Sequence, residues 1–133
     1  MTNTRVLLIE DDKFLRRACE VGLKKRGFAV ITASDGEEGL QQARSGSPDI
    51  ILLDMLMPRM NGLEALTALK NDEQTRSIPV VILSNSSIEA DIKKAKEMGA
   101  AGYLVKASLS LQELADRVVS FLEQAGHKPE ASE

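Results

Sequence analysis

Hydrophobic residues along the chain fall into two alternating patterns. Five short runs rich in Val, Ile and Leu are typical of β-strands, and they cover residues 5–10, 28–33, 49–53, 79–83 and 102–105. Several runs are apolar almost throughout, which is the pattern of a parallel sheet covered on both faces. Stretches with apolar residues three and four positions apart predict amphipathic helices over residues 13–26, 36–45, 62–71, 88–98 and 110–124.

The order of these elements predicts five successive βα units. The strand starts are roughly 21 to 30 residues apart, which leaves room for a loop, a helix and a return loop each time. Right-handed crossovers then place helices on both faces of one doubly wound α/β sheet. We predict a five-stranded parallel sheet in the order 2-1-3-4-5, the flavodoxin-like (βα)5 arrangement, as a single domain over residues 1–125. Residues 126–133 are polar with Gly and Pro, and they predict a disordered tail.

Capping residues agree with these boundaries. Gly27, Gly46 and Gly99 follow predicted helices, where a left-handed residue commonly closes the last turn. The Ser34-Asp35 pair and Ser110 stand at the starts of predicted helices and supply candidate N-caps.

Composition narrows the class of protein. Of 133 residues, 43% are hydrophobic, which is enough for a core without a metal or a disulfide. Acidic residues outnumber basic ones by 20 to 17, so a large nucleic-acid or membrane-surface footprint driven by positive charge is disfavoured. Cys19 is the single cysteine, and with Phe14 it is assigned to the apolar stripe of the first helix. The sequence has no apolar run long enough for a membrane span, and we expect a cytoplasmic location.

Polar side chains follow four of the five predicted strands. In open parallel sheets, ligands bind beyond the carboxyl ends of the strands, where the strand order reverses. The residues at those ends are Glu10-Asp11-Asp12 after the first strand, Asp54 after the third, Ser84 after the fourth and Lys106 after the fifth. Carboxylates crowded at one edge repel each other, and a cation or a lysine relieves the repulsion.

This set of residue types suits phosphoryl transfer. Glu10, Asp11 and Asp54 supply hard oxygen ligands of the kind that Mg²⁺ prefers. Lys106 can hold a phosphate oxygen or pair with Asp54, and the Ser84 hydroxyl can donate to another phosphate oxygen. A carboxylate nucleophile, a divalent cation, a lysine and a hydroxyl are together what phosphoryl transfer to an aspartate requires.

Four segments of the chain resemble the receiver domains of two-component response regulators. They are LLIEDD, LLDMLMPRMNG, VILS and YLVK, in the family's order and spacing between residues 5 and 124. The resemblance implies that Asp54 is the phosphoacceptor and that Ser84 and Lys106 bind phosphoryl oxygens. It also implies a Mg²⁺ site in which Asp11 is a direct ligand and Glu10 acts through water, with Asp54 and the backbone carbonyl of Leu56 as further ligands. Three acids stand where the family needs two. We assign Glu10 and Asp11, which directly end the apolar run, and expect Asp12 to cap the first helix.

The resemblance also implies a switch and a set of partners. Ser84 and the aromatic ring of Tyr103 would move together when phosphate binds, as a shift between two populated states. The phosphoryl group would come from a histidine kinase or a histidine phosphotransfer protein. A downstream protein would bind the face made by the fourth helix, fifth strand and fifth helix, and a homodimer is a further possibility. We expect no direct binding of nucleic acid or membrane, and no enzyme activity beyond the receiver's own phosphoryl transfer and dephosphorylation.

Departures from the family pattern keep other functions open. The family usually has a small residue at the position of Asn85 and a proline at the position of Ala107. One alternative is therefore a receiver-like binding module that works without phosphorylation. Another is a phosphatase with an aspartate nucleophile, but that class places a second Asp two residues after the nucleophile, where this chain has Leu56.

Overall fold

One parallel sheet forms the centre of the computed structural model, which describes residues 4–55, 57, 60–85 and 88–125. Its strands are β1 (Arg5–Ile9), β2 (Ala29–Ala33), β3 (Ile50–Asp54), β4 (Val80–Ser84) and β5 (Gly102–Val105). Their order is β2-β1-β3-β4-β5, and every neighbouring pair is parallel. The predicted sheet and its strand order are confirmed.

Five helices connect or follow the strands, each at its predicted place. They are α1 (Lys13–Lys25), α2 (Gly36–Gly46), α3 (Gly62–Asn71), α4 (Glu89–Glu97) and α5 (Leu111–Gln124). Within the described residues, no helix is both long and apolar enough to cross a lipid bilayer. The predicted tail, residues 126–133, lies outside the described residues, so the boundary at residue 125 stays a prediction.

Two cores lie on opposite faces of the sheet. Val6 and Leu8 of β1 pack with side chains of α1 and α5, whereas Leu7 and Ile9 pack with side chains of α2, α3 and α4. Successive strand residues point to opposite faces, so a strand between two helical layers must be apolar at every position. This explains the continuous apolar runs in the sequence.

The caps follow the sequence with one exception. Asp35 and Ser110 cap α2 and α5 through their side chains, and Gly27 and Gly99 have positive φ. Gly46 does not have the predicted left-handed conformation.

The left-handed residue after α2 is Ser47, with φ of 46°. Pro48 follows it and disfavours a right-handed helical residue at position 47. Glycine at position 46 serves packing instead, because a Cβ there would lie 2.8 Å from Cδ1 of Ile31.

Phe14 is also placed differently from the prediction. Its side chain is 85% exposed, while Cys19 and Leu23 are the buried residues of α1. Leu15, Cys19 and Leu23 are four residues apart and share one helix face, and Phe14 precedes Leu15 by one position, about 100° around the helix. The predicted apolar stripe was therefore too wide.

Candidate functional site

The predicted site residues converge at the carboxyl edge of the sheet. Glu10 follows β1, Asp54 ends β3, Ser84 ends β4 and Lys106 follows β5. The strands are parallel, so these positions share one edge. There they border a pocket of about 370 Å³ lined by Glu10, Asp11, Asp12, Leu15, Asp54, Ser84, Asn85, Lys106 and Ala107.

Lys106 joins two buried carboxylates. Its Nζ lies 2.7 Å from Oδ1 of Asp54 and 2.9 Å from Oε1 of Glu10. Glu10 is 1% exposed and Asp54 is 3% exposed. Burial alone would lower the pKa of Lys106, but the hydrogen bond with Asp54 and the charges of both acids outweigh it and raise that pKa. The ammonium group therefore stays charged while it faces two acids.

The carboxyl group of Asp54 is a weaker acid than an ordinary aspartate. Burial raises the pKa of Asp54 from 3.8 to about 7, and the nearby Glu10 carboxylate adds to the rise. The hydrogen bond from Lys106 acts in the opposite direction without cancelling the effect. One lysine is thus too little positive charge for the two carboxylates.

Backbone contacts hold Glu10 firmly while one of its oxygens keeps spare bonding capacity. The amide of Glu10 donates to the carbonyl of Ala33 at 3.0 Å, and the carbonyl of Glu10 accepts from Nη1 of Arg16 at 2.9 Å. Oε2 accepts from the Asp12 amide at 3.1 Å. Oε1 is buried and faces Nζ of Lys106 at 2.9 Å, and a carboxylate oxygen with two lone pairs can accept a further partner.

The acidic cluster fits a hard divalent cation. Carboxylate oxygens of Glu10, Asp11 and Asp54 lie within 4.8 Å of one another. The donors are all oxygens, and the buried Oε1 of Glu10 can accept another partner, as Mg²⁺ coordination requires. The predicted fourth donor, the carbonyl of Leu56, lies outside the described residues.

Asp12 has the role predicted for it as a helix cap. Its Oδ1 accepts hydrogen bonds from the amides of Phe14 and Leu15 at 2.9 and 3.0 Å. It lines the pocket, but its carboxylate is already engaged at the start of α1.

The proposed switch residues lie on the last two strands. Ser84 is buried at the end of β4 and lines the pocket. Tyr103 lies in the middle of β5, is half-buried, and packs against the core on the side of α2, α3 and α4.

Three features of the site were missed from the sequence. Lys106–Ser108 forms a single 3₁₀ turn, with Ser108 Oγ donating to the carbonyl of Val105 at 3.0 Å. Arg16 binds the carbonyl of Glu10, six residues earlier. A Cβ at Gly62 would lie 2.6 Å from the carbonyl oxygen of Asp54, so only glycine fits there. In the sequence, Asn61-Gly62 is an ordinary turn pair, which does not by itself indicate this close approach.

Comparison with known proteins decides the family. The sequence profile of the response regulator receiver domain matches residues 6–119. The chain belongs to this family. This receiver is 40% identical over 126 residues to the transcriptional regulatory protein PrrA of Mycobacterium tuberculosis. The match covers 95% of this chain and 53% of PrrA.

Two further relatives are shorter proteins. Protein PilG of Pseudomonas aeruginosa is 38% identical over 102 residues, which cover 77% of this receiver and 76% of PilG. The solved chemotaxis response regulator CheY4 of Vibrio cholerae superposes with a TM-score of 0.85 at 30% identity, covering 91% of this chain and all of CheY4. The receiver spans about half the length of PrrA and of the alkaline phosphatase synthesis regulator PhoP of Bacillus subtilis.

Proposed function

We propose that this receiver accepts a phosphoryl group on Asp54 from a phosphohistidine of a histidine kinase or histidine phosphotransfer protein. The observation that carries the proposal is the convergence of Asp54, Glu10 and Lys106, with Nζ at 2.7 Å from one carboxylate and 2.9 Å from the other. The same proposal places the protein in the cytoplasm.

The transfer needs one bond to form and one to break. An oxygen of the Asp54 carboxylate forms a bond to phosphorus, and the P–N bond of the phosphohistidine breaks. The electron pair of that bond stays on the imidazole, and the product on this chain is an aspartyl phosphate. Lys106 already lies beside Asp54, where its ammonium group can bind a phosphoryl oxygen as charge develops there. The hydroxyl of Ser84, at the next strand end, supplies a second donor.

The acids of the cluster would hold Mg²⁺. Glu10, Asp11 and Asp54 would be the side-chain ligands, and the Leu56 carbonyl is a ligand by the family pattern. When bound, Mg²⁺ neutralises negative charge on the phosphoryl oxygens and the carboxylates.

Phosphorylation would change the surface that a target protein binds. Ser84 lines the pocket at the end of β4. Tyr103 lies on the neighbouring strand β5, where it pairs with Ile82, two residues before Ser84. A phosphoryl group that holds the Ser84 hydroxyl favours one of two positions for this part of the sheet. The proposed output surface is the face of α4, β5 and α5, and the proposed partner there is a protein.

The test is intact mass spectrometry after incubation with acetyl phosphate. Asp49→Asn is the matched control for Asp54→Asn, because Asp49 immediately precedes the same strand at the opposite edge of the sheet. We expect one phosphoryl adduct on the wild type and on Asp49→Asn, none on Asp54→Asn, and none when EDTA removes Mg²⁺.

Two results would overturn the proposal. A labelled Asp54→Asn variant would move the acceptor elsewhere. An unlabelled wild type that binds Mg²⁺ in a titration would instead favour the binding module that works without phosphorylation.

A further inference from the structure

Arg16 reaches from α1 back to the turn that carries two of the acids. Its Nη1 donates a hydrogen bond of 2.9 Å to the backbone carbonyl of Glu10. Its own amide donates a hydrogen bond of 2.8 Å to the carbonyl of Asp12. One residue of α1 thus binds the residues on both sides of Asp11.

Asp11 depends on its neighbours for its position. It is exposed, whereas Glu10 on one side is fixed to β2 through its amide and the carbonyl of Ala33. On the other side, the amide of Asp12 donates to Oε2 of Glu10 at 3.1 Å. An exposed carboxylate converges with buried ones only if the backbone that carries it is held in place. Arg16 holds that backbone from the side of α1.

The contact of Arg16 with the turn is specific to this arginine. A guanidinium on a carbonyl makes a charge-assisted hydrogen bond with a defined direction, which a lysine reproduces poorly. The next residue, Arg17, has a side chain that is 75% exposed and only a 3.6 Å ion pair with Glu20. Helix α1 therefore carries two adjacent arginines of equal charge, of which Arg16 contacts the turn and the exposed Arg17 contacts Glu20.

We propose that Arg16 is a positioning residue for the acidic cluster. By holding the carbonyl of Glu10, it keeps Glu10 and Asp11 where their oxygens and those of Asp54 can share one divalent cation. The inference rests on the proposed function, because it takes Mg²⁺ as the ion that these acids hold.

The experiment compares Arg16→Ala with Arg17→Ala. Both substitutions remove one positive charge from the same helix, and by electrostatics alone neither should weaken the binding of a cation. Loss of positioning acts in the opposite direction, so the sign of the change separates the two effects. Mg²⁺ affinity is measured by isothermal titration calorimetry. Backbone amide NMR spectra of the metal-free proteins supply a readout that does not involve the ion.

For Arg16→Ala we expect Mg²⁺ binding about tenfold weaker than for Arg17→Ala, at the low end of what losing an outer contact of a metal ligand usually costs. We also expect the amide signals of Asp11 and Asp12 to shift in metal-free Arg16→Ala and to stay in place in Arg17→Ala. Arg16→Lys should fall between the two variants. If thermal melting shows that Arg16→Ala is unfolded, Arg16→Lys is compared with Arg17→Ala instead.

Equal Mg²⁺ affinities for the two alanine variants, or unchanged Asp11 and Asp12 amides in Arg16→Ala, would overturn the inference. A wild type that binds no Mg²⁺ would instead refute the metal site of the proposed function. The two failures are therefore distinguishable.

Discussion

Replacing Asp54, the proposed phosphoacceptor, should stabilise the metal-free fold. In Asp54→Asn, one of two buried carboxylates becomes neutral, and Lys106 is left with a single acid, Glu10, at 2.9 Å. Glu10 and Lys106 then remain as one pair of opposite charges. The substitution keeps the size and shape of the side chain, so no cavity offsets the gain.

The size of the effect follows from the pKa of Asp54. Folding raises it from 3.8 to about 7, and each pKa unit corresponds to ~1.36 kcal/mol of free energy. Between these two pH values the folded protein keeps a proton that the unfolded chain has lost, so wild-type stability falls as the pH rises. Asp54→Asn lacks this loss. Its advantage is therefore small near pH 4, grows to about 1–2 kcal/mol at pH 5, and reaches at most about 4 kcal/mol above pH 7.

Urea unfolding in EDTA, followed by circular dichroism between pH 5 and pH 8, measures the advantage. Asp72→Asn is the control of opposite sign, because hydrogen bonds from Arg44 and the Gln74 amide lower the pKa of Asp72. The Asp72 carboxylate stabilises the fold above its unfolded pKa, so this variant should lose stability at neutral pH. An Asp54→Asn protein that is no more stable than the wild type at pH 8, or whose advantage does not change with pH, would refute the reasoning. By the proposed function, added Mg²⁺ should narrow the gap, since it would bind the wild-type acids in the folded state.

Three more predictions concern neighbouring residues. Lys106→Met leaves Glu10 and Asp54 buried beside no lysine, and we expect a loss of about 3–5 kcal/mol in urea unfolding at pH 8; an unchanged midpoint would contradict the ion pairs. Gly62→Ala places a Cβ 2.6 Å from the backbone oxygen of Asp54, so we expect a loss of about 1–3 kcal/mol together with slower acetyl phosphate labelling, and normal values for both would count against the close approach. Burial raises the pKa of Cys19 to about 11, so iodoacetamide should label the thiol only as fast as the protein unfolds, and rapid labelling of the native protein would show an accessible thiolate.

The sheet could be predicted because burial on both faces leaves a direct mark on the sequence. Strands β1 and β3 lie between two helical layers and are apolar at almost every position, so no other element competes for those runs. The parallel order then places all strand ends at one edge. Glu10, Asp54 and Lys106 could therefore be brought together before any distance was known.

Other features depend on tertiary geometry that periodicity does not contain. The contact of Arg16 with Glu10 joins a helix to the strand end before it, and nothing in the spacing of apolar residues marks it. Phe14 was misplaced because a helical stripe drawn from the sequence has no fixed width. Which positions of α1 face inward depends on how the helix packs against the sheet and α5, and this packing buries Cys19 and Leu23 but not Phe14.

The most direct measurement locates the phosphoryl group itself. Sodium borohydride reduces an aspartyl phosphate to homoserine, so reduction after acetyl phosphate treatment marks the acceptor residue permanently. Trypsin releases residues 45–59 as one peptide that contains both Asp49 and Asp54, and fragmentation by mass spectrometry tells them apart. The account predicts homoserine at position 54 with Asp49 unchanged, and only when Mg²⁺ is present. Homoserine at position 11, 49 or any other aspartate would contradict it.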